Sequence, residues 1–433
     1  MAVVLAGLTT IAGSGSLMVS DITSMRNFGI FTSVGVLVAL LAALILIPAT
    51  LSIKGGGFSR KKADVNRGLG RVLQGLAEIT LRHKRAVVIV TVIIIAASIY
   101  GITKVVMGNW MVMMFKEDTE IREADAFLNK NFSGTSFMNI TIEGESSGSI
   151  THPDALQAMD ELSCHIKENH HQIGKVLSAV ELIKRMNHIM NMPEEATEAE
   201  LEEYKSSASY YEIPTDPKKY NLKSKEDLQR LISQYLLLYS GNVDSLLDDA
   251  LEPTYANMVI QIKTGEHAVL NRIKQTITEY TAENFPPGYQ VRVNGAANVQ
   301  LTVNELVIAS QIKSILLSLA IVFVILALYY KSLTAGGLGV VALAIPLLFN
   351  FGLMGLLKIR LDIGTAMMAS IAIGTGIDYT IHFLNAYRFE RRRTPDWAKA
   401  TETVLSLIVI LRIMICQLVT YMIMTSFLRR RLL

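Results

Sequence analysis

The chain has two hydropathy textures. Residues 2–53, 86–106, 310–388 and 401–427 are dominated by Val, Leu, Ile, Ala and Gly, whereas residues 107–309 mix polar and apolar positions as a folded, water-exposed domain does. A helix needs about 20 apolar residues to cross the hydrocarbon core of a bilayer. The apolar stretches therefore predict about seven spans, at 2–19, 28–53, 86–106, 313–329, 333–357, 363–384 and 404–427. Pro48 falls near the end of the second, and Pro346 is expected to interrupt the fifth.

Within 107–309 the periods change. Residues 138–144 alternate as a strand does, 175–180 read as a second, 255–263 as a third and 289–294 as a fourth. Helices are expected at 152–169, where Pro153 and Asp154 occupy a first turn, at 182–190, 196–204, 226–239 and 244–250, and at 268–284. A further helix from Ala297 leads into the fourth span. With the helical insertion 182–250 set aside, the order is β-α-β followed by β-α-β, the split βαβ, ferredoxin-like pattern. The expected fold class is an α-helical polytopic membrane protein carrying one α+β domain of that type.

Charge orients the spans. The loop 54–85 holds nine Lys and Arg against two acids, a net of +7, and Arg388, Arg391, Arg392 and Arg393 form a second basic cluster. Both fall on the cytoplasmic side if residues 107–309 lie outside. That segment holds 17 basic against 30 acidic residues. The expected organisation is a helix pair (1–53), a basic cytoplasmic linker with an amphipathic helix at 65–81 (54–85), one span (86–106), the extracytoplasmic domain (107–309), three spans (310–388), and a cytoplasmic loop with a last hydrophobic segment (389–433). That last segment fits poorly: Arg412 sits mid-span, and Arg429, Arg430 and Arg431 fall on the outer side. The expected location is the inner (plasma) membrane. The two cysteines, Cys164 and Cys416, make no disulfide framework.

Cys164, His165, His170, His171 and His188 match no tight zinc spacing, so no metal and no cofactor is expected. Met107, Met111, Met113 and Met114 around Trp110 read as a soft apolar surface, either an anchor at the membrane edge or a contact for substrate or lipid at the outer interface. The sixth span carries the chemistry: Gly374-Thr375-Gly376-Ile377-Asp378-Tyr379-Thr380-Ile381-His382. An ionisable residue inside a span is costly and is by default a functional hypothesis. Thr375, Asp378, Tyr379 and His382 share one helix face, extended by Ser370 and Asn385. Gly374 and Gly376 allow a neighbouring helix to approach closely. A carboxyl group withdrawn from water holds a proton more readily, which makes Asp378 a candidate carrier, Tyr379 its hydrogen-bond partner and His382 a relay toward the cytoplasm. The alternative is an Asp that bridges helices without titrating.

The stretch from Ser370 to His382 resembles the Gly-Ile-Asp-Tyr-x-Ile-His helix of the resistance-nodulation-division superfamily, in the branch of hydrophobe exporters of the "mycobacterial membrane protein large" type. Leu8-Thr-Thr-Ile-Ala-Gly13 and Phe28-Gly-Ile-Phe-Thr-Ser-Val-Gly35 resemble the two spans after such a helix, and the stretch from Asn294 to Ser332 resembles the junction of domain and span. The resemblance implies a proton-driven exporter of lipids, hydrophobic compounds or drugs, working as a trimer or monomer. It places Asp378 and Tyr379 in the second-repeat relay. It also implies twelve spans in two repeats, of which this chain would be the C-terminal half, a truncated or frameshifted product paired with a separate first half or self-associating. Position 14 is Ser where the pattern usually has an aromatic.

The leading expectation is thus a partial permease and secondary transporter, not an enzyme, in contact with membrane lipids and with no nucleic acid. The alternatives are an accessory to protein secretion and a non-transporting, sterol-sensing-like protein or remnant. There is no Gly-x-x-x-x-Gly-Lys-Ser/Thr loop, so ATP is not the expected energy source.

Overall fold

The computed structural model describes residues 2–53, 82–193, 197–239, 241 and 243–406. In chain order the first helices are α1 (Ala2–Gly15), α2 (Thr23–Ile53), α3 (Lys84–Ile102) and α4 (Glu120–Asn131). Then follow β1 (Ser136–Glu143), α5 (Pro153–Asn169), β2 (Ile173–Leu177), α6 (Ala179–Met190), α7 (Glu198–Ser206) and α8 (Lys225–Leu237). The remainder is β3 (Tyr255–Ile262), α9 (His267–Asn284), β4 (Gln290–Asn294), α10 (Gly295–Tyr330), α11 (Leu333–Leu356), α12 (Ile363–Arg391) and α13 (Trp397–Ser406). The chain divides into two compact units, Trp110–Thr302 and the residues on either side of it.

In the helical unit, four stretches among the described residues are long and apolar enough to cross a membrane: Thr23–Ile53, Arg85–Ile102, Gly295–Tyr330 and Leu333–Leu356. α12 has the length at 29 residues, but its polar residues keep it outside that group. α11 runs unbroken through Pro346, where an interruption is expected; a proline inside a membrane helix is tolerated. α3 and α11 meet through small residues. A Cβ on Gly101 would overlap the carbonyl of Gly352, and one on Gly355 would overlap the carbonyl of Gly101. Backbones this close gain dispersion contact that larger side chains would prevent.

The other unit is built on a four-stranded sheet of order β2-β3-β1-β4. Every neighbouring pair is antiparallel, with Ile140 of β1 facing Met258 of β3 and Val293 of β4. This is the strand order of the split βαβ pattern. The period of two puts Met138, Ile140 and Ile142 on one face beside Ala256, Met258, Ile260 and Ile262 of β3, all buried. α5 and α9 cover that face with Leu156, Met159, Leu162 and Ile166, and Leu270, Ile273 and Ile277.

Several local expectations need correction. The second strand spans Ile173–Leu177 rather than 175–180, because Ser178 is the extended N-cap of α6 and Ala179 and Val180 are already helical. Residues 244–250 form turns and an isolated antiparallel bridge, Leu247 with Ala256, not a helix. Asp249 accepts from the backbone N–H groups of Leu251 and Glu252, and Asp248 from those of Thr254 and Tyr255. Such short acidic side chains compete with the helix for the backbone. α4 was not foreseen. The linker helix expected at 65–81 and most of the segment expected at 404–427 lie outside the described residues.

Candidate functional site

α12 begins with a closed cap. Thr365 N donates to Asp362 Oδ1 at 2.8 Å, and Asp362 N donates to Thr365 Oγ1 at 2.9 Å. The backbone N–H of Ile363 donates to Asn109 Oδ1 at 3.2 Å, and Asn109 donates twice to Asn304 Oδ1. Leu361 pairs with the strand-like residues after α3, donating to Val106 O at 2.8 Å. These contacts fix the start of the helix that carries Asp378.

α1 lies against α12 at glycine distance. A Cβ on Gly13 would stand 2.7 Å from Gly374 Cα, and a Cβ on Gly374 would meet Thr10 Cα at 3.3 Å. This approach brings the Thr10 hydroxyl 3.2 Å from the carbonyl oxygen of Gly374 and 3.5 Å from Asp378 Oδ1, while it also lies 3.0 Å from the carbonyl of Ala6. A hydroxyl has one proton and two lone pairs. It can donate to an ionised carboxylate, or accept from a protonated carboxyl group while donating to a carbonyl. Thr10 therefore suits both protonation states of Asp378, which is partly buried.

The other predicted residues distribute as follows. Thr375 and Tyr379 belong to the same helix; their side chains lie outside the described residues. His382, four positions beyond Asp378, is exposed. Gly376 is in ordinary contact, its notional Cβ 3.4 Å from Leu343 Cδ2. Ser370 is fully buried, 3.4 Å from Ser314 Oγ and 3.5 Å from Gln311 Nε2 of α10. Asn385 accepts from the Tyr330 hydroxyl at 3.0 Å. Between these polar levels Ile373, Ile377 and Ile381 pack with Val322 and Leu326 of α10 and Leu343 and Leu347 of α11. Thr10, Gln311 and Ser314 join the site only through the structure; their signal in the sequence is a polar residue at helical spacing in an apolar span.

The histidines of the other unit have separate duties. His170 bonds Thr276 Oγ1 at 2.9 Å, His165 stacks on Tyr280 with centroids 4.3 Å apart, and His188 stacks on Tyr204 at 4.7 Å. Among the described residues no group of three or more His, Cys, Asp or Glu is placed to hold a metal ion.

The MMPL family profile matches residues 1–75 and 114–410. A membrane protein of Methanocaldococcus jannaschii is 33% identical over 140 residues, 32% of this chain and 36% of that protein. The structure is similar to that of the hedgehog release protein Disp from the water bear Hypsibius dujardini, with a TM-score of 0.58 and 14% identity, over 94% of this chain and 52% of that one. The chain thus spans about half the length of the solved structure it matches, and about a third of the archaeal relative is aligned to it.

Proposed function

This chain belongs to the MMPL family and is a multi-pass membrane protein, and we propose that it forms part of a proton-driven exporter of lipids or other hydrophobic molecules, with Asp378 as the group that takes up and releases the coupling proton. The observation that carries the reading is the pairing of Asp378 with Thr10 across α1 and α12. An ionisable side chain inside a span is expensive to keep, and its partner here is a hydroxyl that serves either protonation state. Tyr379 and Thr375 complete the relay on the same helix, and His382 passes protons on toward the cytoplasm. In this reading the basic loop 54–85 faces the cytoplasm, the unit Trp110–Thr302 lies outside the plasma membrane as a porter domain, and the protein works with a second such half, from another polypeptide or a second copy.

The test uses membranes carrying the full chain and a fluorescent hydrophobic dye, with an imposed pH gradient. Asp378→Asn, which keeps the shape and removes the titration, should abolish gradient-driven dye expulsion, and Asp378→Glu should retain part of it. Equal expulsion by the wild type and Asp378→Asn overturns the proposal.

A further inference from the structure

α10 carries a file of buried polar residues that the relay just described does not use. Ser310, Ser314 and Ser318 are four residues apart and so share a face, with Gln311 beside them. All four are at most 3% exposed. Such a file would be mere helix packing if its polar atoms were satisfied. They are not: Ser318 Oγ and Gln311 Oε1 have no hydrogen-bond partner among the described residues. Ser314 and Ser370 are 3.4 Å apart, long for a hydroxyl pair, which prefers about 2.7–2.8 Å. A buried polar atom without a partner is a standing cost, and water is the usual remedy where several such atoms converge.

The register places this file. Ser314 meets Ser370 and Tyr330 meets Asn385, so α10 and α12 run side by side in the same direction. Ser318 is therefore level with Gly374, about one turn, or about 6 Å along the helix axis, before Asp378. At the other end, Ser310 Oγ accepts from the backbone N–H of Asp21, and the Asp21 side chain pairs with Lys313 at 3.1 Å. Both members of that pair are 53% exposed. The file thus begins beside a water-exposed ion pair and ends, measured along the helix axis, about one turn short of the level of Asp378.

We propose that Gln311, Ser314, Ser318 and Ser370 hold a short chain of water molecules that connects Asp378 with the Asp21–Lys313 end of α10, the outer end in the orientation proposed above. The inference rests on the reading of Asp378 as the proton carrier. Each hydroxyl or water in the chain accepts one proton and passes on another, so the net change is one proton gained from the outer solution and one carboxylate converted to a carboxyl group.

The test is labelling of single cysteines in the full chain, with Cys164 and Cys416 replaced by Ser. Ser314→Cys, Ser318→Cys and Ser370→Cys are near-isosteric, and Leu316→Cys, at a 62% exposed apolar position on the same helix, reports access through lipid. Methanethiosulfonate ethylammonium is added from the outer side. The three file positions should react about tenfold faster than Leu316→Cys or more, because a thiol reacts as its hydrated thiolate. Unreactive file positions, or equal rates at all four, overturn the path. The labelling does not depend on the carrier role. If it succeeds while Asp378→Asn transports normally, the proposed function fails and the water path stands. If it fails while Asp378→Asn abolishes transport, the reverse holds.

Discussion

Thr10 and Asp378 lie 368 positions apart in the chain, and the hydroxyl of the first stands 3.5 Å from the carboxylate of the second. The pairing exists because Gly13 and Gly374 let two helix backbones nearly touch. A wider crossing would leave the carboxylate without this partner.

Thr10→Val keeps the shape of the side chain and removes the hydroxyl. It should slow gradient-driven dye expulsion while costing about 1 kcal/mol of stability, the usual net worth of a hydrogen bond. Thr10→Ser should restore the rate. Transport by Thr10→Val at the wild-type rate would remove Thr10 from the relay.

Gly13→Ala tests the crossing itself. Its Cβ would press on the backbone of Gly374, and overpacking of this kind costs about 1–3 kcal/mol. Gly337→Ala is the control, since a Cβ there meets nothing within 4 Å. Thermal unfolding in detergent should drop for Gly13→Ala and hold for Gly337→Ala.

Asn187 organises the helical insertion of the other unit. Fully buried, its Nδ2 lies 3.0 Å from the carbonyl oxygens of Tyr210 and Glu212 and 2.8 Å from the Tyr220 hydroxyl, three acceptors sharing two N–H groups. Asn187→Ala removes these contacts from the interior and should cost about 1–3 kcal/mol, read as a lower denaturant midpoint of the full chain. An unchanged midpoint would mean that water replaces the amide without loss.

His170 gives this unit a pH dependence. Burial, and then the charges of Arg272, His165 and His171, hold its pKa below the ordinary 6.5. The unfolded chain therefore binds the proton first as pH falls, and stability follows the proton difference. The contribution is fully present above about pH 6.5 and is lost as pH drops toward the folded value. His170→Gln should flatten the fall in unfolding temperature below pH 6.5; an identical slope would assign that fall to other groups.

The parts of this molecule that were legible in the sequence are those set by local pattern. The period of two in 138–144 and 255–263 located β1 and β3, and the apolar runs located α2, α3, α10 and α11. The Asp at position 378 stood out because a charge in an apolar helix is rare. What failed was also local. Asp248 and Asp249 look like helix residues in a window count, yet their carboxylates take the backbone N–H groups of the next turn. α4 was missed although its start carries the ordinary signals, Thr119 before a first turn with Glu120 and Glu123, and Lys130 in the last turn. Thr10, Gln311 and Ser314 could not be assigned from sequence, since their significance lies in which helix they meet.

The most direct measurement is infrared difference spectroscopy of the membrane-embedded full chain between acidic and alkaline buffer. On acidification the wild type should show a protonated-carboxyl component that is missing in Asp378→Asn. Identical difference spectra for the two would mean that Asp378 does not change its protonation and is not the proton carrier.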